Sequence, residues 1–192
     1  MLNYLLIESK NNIELNKSMI LDMMHDVMHM IEVKSKNQTL IIVFEMPVEV
    51  SFNEIILNLA QDTLVDYRLY ESYPFKQIEE LYQHAAYIES LLQHIPFNQF
   101  TYLNNIILVK YALTIIKKEN YHFFLRDYWK NEDMKKTIKV YLESNQNMSE
   151  ASKSLYIHRN TLIQRIDKFA MVTGFDIRKF VDGYLIYYLL TH

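Results

Sequence analysis

The sequence predicts an α+β fold, mostly helical: a small N-terminal α+β module over residues 1–100, a helical connector over 101–130, and a C-terminal helix-turn-helix over 131–192. Three observations carry this. Only two Gly (174 and 183) and three Pro (47, 74 and 96) occur in 192 residues, so helices with few tight turns are expected. Short apolar, β-branched runs interrupt the helical periodicity before residue 100. Two consecutive helix signatures, each with its own start signal, follow Asn147. Half of the chain is hydrophobic, enough for one domain or two small ones with a substantial core.

Taken in order, residues 12–33 read as an amphipathic helix with Ile13, Ile20, Met24, Met28 and Ile31 near one face. Residues 39–45, TLIIVFE, are an apolar run bounded by polar residues and by Pro47, hence a buried strand. A helix over 52–62 precedes a second strand in VDYRLYESY. Residues 75–93 form another helix, which Pro96 ends. Tyr102 to Lys118 is read as a strongly apolar helix through Leu103, Ile106, Ile107, Tyr111, Ala112 and Ile115. This order suits a compact α+β module with its helices on one face of a small sheet.

Residues 148–173, MSEASKSLYIHRNTLIQRIDKFAMVT, are the most informative stretch. Asn147 stands three residues ahead of Glu150, a capping-box-like start in which Asn accepts from first-turn amides and Glu reaches back. Ala151 and Leu155 share one face, and Ala is small enough for a second helix to cross closely. Tyr156 and Ile157 fall in the turn, where many such motifs place a Gly. From His158 onward a second helix buries Leu162, Ile166 and Phe169, and Gly174 supplies a left-handed C-terminal cap.

Opposite that apolar stripe the second helix carries Asn160, Thr161, Gln164 and Lys168, with Arg165 on its flank. These side-chain types read the edges of a DNA groove. Asn and Gln pair bidentately with adenine, Thr bonds a base edge or touches a thymine methyl, and Arg or Lys addresses guanine or phosphate. Arg159 falls on the apolar side of an ideal wheel, but from the first turn its stem could lie along the core while the guanidinium reaches a phosphate. His158 and Arg159 are therefore read as phosphate or cap residues.

The run Ile157-His158-Arg159-Asn160-Thr161-Leu162, followed by Arg165-Ile166 and Gly174, resembles the C-terminal helix-turn-helix of PucR/CdaR-type bacterial transcription regulators. Thr137, Tyr141, Leu142, Asn145 and Asn147 resemble the segment ahead of the motif, and Phe175-Asp176-Ile177 its continuation, so the resemblance runs over residues 123–190. The family commonly has Tyr where this chain has Gln164. The resemblance implies an activator or repressor of bacterial genes, and ahead of it a degenerate relative of the GGDEF nucleotide-cyclase fold, to which residues 39–93 are similar in element order. Cyclase chemistry is not expected, because no Gly precedes position 174 to let a phosphate approach the backbone.

The net charge of −3 is unlike that of most nucleic-acid binders, yet its distribution is uneven. Residues 131–192 hold nine Lys or Arg against seven Asp or Glu, whereas residues 1–130 hold 11 against 16. This modest local balance limits the affinity of one copy, so a homodimer presenting two recognition helices to double-stranded DNA is expected. Absence of Cys excludes disulfides and thiolate metal sites. No stretch approaches 18 apolar residues and the N-terminal run is too short for a signal peptide, so a soluble, cytoplasmic protein with no membrane contact is expected.

His25 and His29 stand at i and i+4 in HDVMH, a spacing with metal-ligand geometry on a helix, but without the Glu of a zinc-protease motif. The ten Met read as adaptable core or interface filler. Glu79 and Glu80 read as a solvated edge, and nothing specific for an enzyme, a metal or a cofactor is visible. The expectation is a DNA-binding regulator using His158, Arg159, Asn160, Thr161, Gln164, Arg165 and Lys168, with no small-molecule effector assignable. The alternative is a protein-interaction module whose helix-turn-helix is a packing remnant.

Overall fold

The computed structural model describes residues 1–45 and 50–192. Pro47, expected to bound a strand, lies outside the described residues. The fold is α+β and mostly helical, and the chain divides into two compact units, Met1–Asn105 and Ile106–His192.

The first unit runs β1 (Leu2–Ser9), a 3₁₀ turn, α1 (Lys17–His25), β2 (His29–Lys36), β3 (Thr39–Glu45), α2 (Phe52–Thr63), β4 (Tyr67–Glu71), α3 (Ile78–Leu92), a second 3₁₀ turn and β5 (Tyr102–Leu103). The sheet order is β2-β3-β1-β4-β5, antiparallel except for the parallel β4–β5 edge. Central β1 is buried on both faces, which is why its sequence is a nearly continuous apolar run rather than an alternation. Leu5 and Ile7 belong to one core with Ile20 and Met24 of α1 and Ile56 and Leu59 of α2. Tyr4 points the other way, its hydroxyl 2.7 Å from Nδ1 of His84 on α3. Helices thus cover both faces of the sheet, not the single face expected.

Two helix expectations are corrected. The helix expected over residues 12–33 ends at His25, and residues 29–36 are a strand. Ile20 and Met24 are buried on α1, and Ile13 and Met28 are buried just outside it, but Ile31 is 44% exposed, because residues 29–36 pair with β3 as a strand and Ile31 is the residue bulged out between Met30 and Glu32. Asn37, at φ 54°, turns the β2–β3 hairpin. His25 closes α1 while His29 opens β2, so the two imidazoles do not share a helix face. The helix expected over residues 102–118 likewise starts late: Tyr102–Leu103 pairs with β4, and α4 spans only Asn105–Ala112.

Arg68 on β4 locks the first unit together. It is 3% exposed. Its Nε donates to Glu8 Oε2 at 2.6 Å, and its Nη1 and Nη2 donate to the carbonyls of Ile95 and Leu92 at 2.8 and 3.0 Å. One buried guanidinium therefore joins β1, β4 and the end of α3, where helix carbonyls lack intrahelical partners.

The second unit comprises most of α4, then α5 (His122–Leu125), a 3₁₀ segment, α6 (Glu132–Glu143), α7 (Met148–Ser154), α8 (Arg159–Thr173) and α9 (Phe180–Thr191). α6 is its axis, packing against α7, α8 and α9. Gly183 permits the α6–α9 approach, since a Cβ there would stand 2.9 Å from Leu142 Cδ2 and 3.1 Å from the Ile177 carbonyl. Among the described residues no helix is long and apolar enough to cross a membrane.

Candidate nucleic-acid interface

The helix-turn-helix is built by local hydrogen bonds that its sequence specifies. Asn147 caps α7, its side chain accepting from the amides of Ser149 and Glu150 at 3.0 and 3.2 Å. The reciprocal half of the expected capping box is replaced. The Asn147 amide donates to the Ser144 carbonyl at 3.0 Å, because the chain arrives from a tight turn closing α6. Asn145 and Gln146 occupy that turn at φ 52° and 61°.

α7 ends in a Schellman motif. The Tyr156 amide donates to the Lys153 carbonyl and the Ile157 amide to the Ser152 carbonyl, both at 3.1 Å. Tyr156 takes the left-handed position at φ 55°, where Gly is the ordinary choice, and its side chain is 95% exposed. A bulky residue in this conformation is uncommon and strained. The sequence reading placed Tyr156 in the turn but assigned it no function. Nothing in its residue type foretold both strain and full exposure.

His158 is the N-cap of α8, extended at φ −67° and ψ 144°, with Nδ1 accepting from the Asn160 amide at 3.2 Å. Leu162, Ile166 and Phe169 are completely buried, and the Phe169 ring lies 5.2 Å from that of Tyr128. Gly174 ends the helix at φ 80°, its amide donating to the Ala170 carbonyl at 2.8 Å. Every anchoring element of α8 is thus internal.

The opposite side of α8 exposes Asn160, Thr161, Gln164 and Lys168 together. Arg159 is exposed although the ideal wheel puts it on the apolar side; in the first turn the core has not yet closed around the helix. Arg165 behaves differently. It is half-buried, and its Nη1 donates to Oγ1 of the buried Thr137 on α6 at 2.8 Å. Gln164, where the resembled family commonly has Tyr, is on the open face, so a ring there would meet whatever covers that face rather than the core.

Acidic groups near this face are ion-paired at the surface. Asp167 accepts from Arg178 Nη1 at 2.7 Å, and Asp176 accepts from Arg178 Nε at 2.7 Å. The Arg178 bond holds the Asp176 carboxyl below its ordinary pKa. Arg178 therefore offsets the acidity of Asp167 beside Lys168, a role the sequence reading missed because the partners are eleven residues apart. Asp182, at the start of α9, accepts from the Asp176 amide at 2.9 Å, and burial raises its pKa. Among the described residues there is no cluster of three or more His, Asp or Glu that could hold a metal ion.

Two capped helices joined by a turn, the second presenting one polar and basic face, define the helix-turn-helix class. Residues 134–190 match the PucR C-terminal helix-turn-helix domain, so the second unit carries a domain of that type, as the resemblance implied. Uncharacterized protein YxkF of Bacillus subtilis (strain 168) is 40% identical over 57 residues, covering 30% of this chain and 19% of that protein. The purine catabolism regulatory protein of the same organism is 29% identical over 119 residues, covering 62% of this chain and 19% of that protein. The chain thus spans about a fifth of the length of these curated relatives. A solved structure, the regulator of polyketide synthase expression from Bifidobacterium adolescentis, is alike over 98% of this chain and 78% of that one, with 17% identity and a TM-score of 0.46.

Proposed function

We propose that this chain is a sequence-specific, DNA-binding transcription regulator, acting in the cytoplasm as a homodimer and inserting α8 into the major groove. One observation carries the reading: Asn160, Thr161, Gln164 and Lys168 stand exposed on one face, with Arg159 exposed in the first turn, of a helix whose other face is sealed in the core and whose two ends are capped. A rigid helix with a side-chain face of that chemistry suits base readout, because the donors and acceptors are held in fixed relation to the groove edges.

Within this reading Asn160 and Gln164 address base edges, Thr161 a base edge or thymine methyl, and Arg159 and Lys168 phosphates. His158 sets the first turn, and Arg165 holds α8 against α6 through Thr137. Tyr156, exposed and strained immediately before the helix, lies against the sugar-phosphate backbone; strain of this kind is characteristic of functional positions. The match to the PucR domain and the regulatory name of one relative support the class. The reading gives the first unit a dimerisation or signal-input role.

The test is a salt titration of binding to genomic duplex DNA. Log affinity should fall linearly with log salt, by about 0.9 for each phosphate neutralised. Leu162→Asp, which disrupts the core of the motif, should abolish binding. Undetectable binding at low salt would refute the reading.

A further inference from the structure

At the hairpin end of the sheet, the face that looks toward α3 is polar rather than apolar. Glu8 of β1 and Thr39 of β3 are cross-strand partners, as are Thr39 and Lys36 of β2, so these three side chains share one face. α3 contributes Glu89 to the same place and, one turn on, Gln93; Phe97 of the following 3₁₀ turn completes the wall. Between them lies an open cleft of about 450 Å³, with Lys10 at its rim.

Some of these charges are already matched. Glu8 accepts from Arg68 at 2.6 Å, and Lys10 Nζ donates to Asp66 at 3.1 Å. The same two cations brace the Phe97 ring, whose centroid lies 5.2 Å from the Arg68 guanidinium and 5.4 Å from Lys10 Nζ. Two charges remain. Glu89 is half-buried, and the hydrogen bond it accepts comes from a neutral hydroxyl, Thr39 Oγ1 at 3.2 Å. Lys36 is exposed, and among the described residues neither it nor Glu89 takes part in an ion pair. A carboxylate partly withdrawn from water, with one donor for about four acceptor sites, is undersatisfied.

We propose that this cleft binds a small zwitterion of the amino-acid class, its ammonium group on Glu89 and its carboxylate on Lys36. Charge balance selects the class. The two unmatched groups are one of each sign, so a ligand with a single charge leaves one of them unanswered, whereas an amino acid answers both. Gln93 adds an amide donor and acceptor beside Glu89, and the braced Phe97 ring adds an apolar wall.

Size agrees with this chemistry. Small-molecule clefts run from about 300 to 1,000 Å³, and this one lies near the lower bound, which suits a ligand of amino-acid size. Because the cleft is open, water competes for both charges, and dissociation constants on the order of 0.1–1 mM are expected. The site stands without the DNA-binding reading; where both hold, it gives the first unit the signal-input role.

The experiment is titration of the whole chain with each standard L-amino acid, followed through the backbone amide chemical shifts around Lys36, Thr39, Glu89 and Gln93. For the tightest binder, the free amino acid is then compared with its C-terminal amide, which keeps only the ammonium, and its N-acetyl form, which keeps only the carboxylate. Shifts confined to the cleft are expected, with each half-charged form weaker by about tenfold. Glu89→Gln, which keeps an acceptor for the Thr39 hydroxyl, should make the amino acid bind no better than its N-acetyl form. Lys36→Met should make it bind no better than its amide. Unaltered amide shifts elsewhere show that each variant is folded. No shift with any amino acid at about 10 mM overturns the proposal, as does an amide or N-acetyl form that binds as tightly as the free amino acid, or binding indifferent to both substitutions. Failure of the DNA-binding reading would show separately, in duplex binding, and would leave these titrations unchanged.

Discussion

The two units use cationic side chains in opposite ways. In the first, Arg68 directs Nε, Nη1 and Nη2 inward to a carboxylate and two carbonyls, at 3% exposure. In the second, Arg159 and Lys168 stand exposed on a helix that is capped and anchored without them. A sealed guanidinium contributes to stability, and an exposed cation on a rigid helix is available to a polyanion. The distinction is geometric, not compositional: Arg165 and Arg178 sit in the same unit as Arg159, yet both are tied to Thr137, Asp167 and Asp176.

Breaking each class of contact should therefore give different losses. The largest is Leu162→Asp, which places a carboxylate on a completely buried stripe. It should cost about 5 kcal/mol, enough to unfold the second unit, read as loss of amide protection in residues 134–190. Arg68→Ala should destabilise the first unit by about 3–5 kcal/mol, because Glu8 loses its partner in a buried pair. Denaturant unfolding checks this, and DNA affinity of the remaining folded protein should be unchanged.

Tyr156→Gly sharpens the comparison further, since it should move stability and binding in opposite directions. Relief of the left-handed strain, less the entropy cost of Gly, should raise stability by about 0.5–1 kcal/mol, while DNA affinity falls. A variant with unaltered affinity would remove Tyr156 from the interface. The smallest effect concerns pH. Burial raises the Asp182 carboxyl pKa, so its charged form is the disfavoured one in the folded chain. That contribution is present below the ordinary Asp pKa and lost as pH rises through the raised value. Asp182→Asn, which keeps an acceptor for the Asp176 amide, should be more stable than the unaltered chain at neutral pH, and the difference should vanish on acidification.

How much of this was legible in the sequence follows from how far apart the determining residues lie. Asn147, His158 and Gly174 act within three or four residues, so the caps of α7 and α8 and the buried stripe Leu162-Ile166-Phe169 could be read directly. The exposed set on α8 followed from the same period, with Arg159 as the exception because it precedes the point where the core closes. By contrast, β1 is apolar on both faces and carries no period of its own, and its N-terminal run was weighed only as a targeting signal. β2 was read as helix because its neighbour β3, which sets its conformation, lies beyond a turn at Asn37. The Arg165–Thr137 and Arg178–Asp167 bonds span 28 and 11 residues and left no local trace.

The central claim is that the open face of α8 reads sequence rather than merely attracting phosphate, and two substitutions separate these. Asn160→Ala should cost about 1–3 kcal/mol on the selected site and almost nothing on random duplex. Lys168→Ala should weaken both alike and reduce the salt slope by about one unit. If Asn160→Ala and Gln164→Ala leave site preference intact, the account is contradicted.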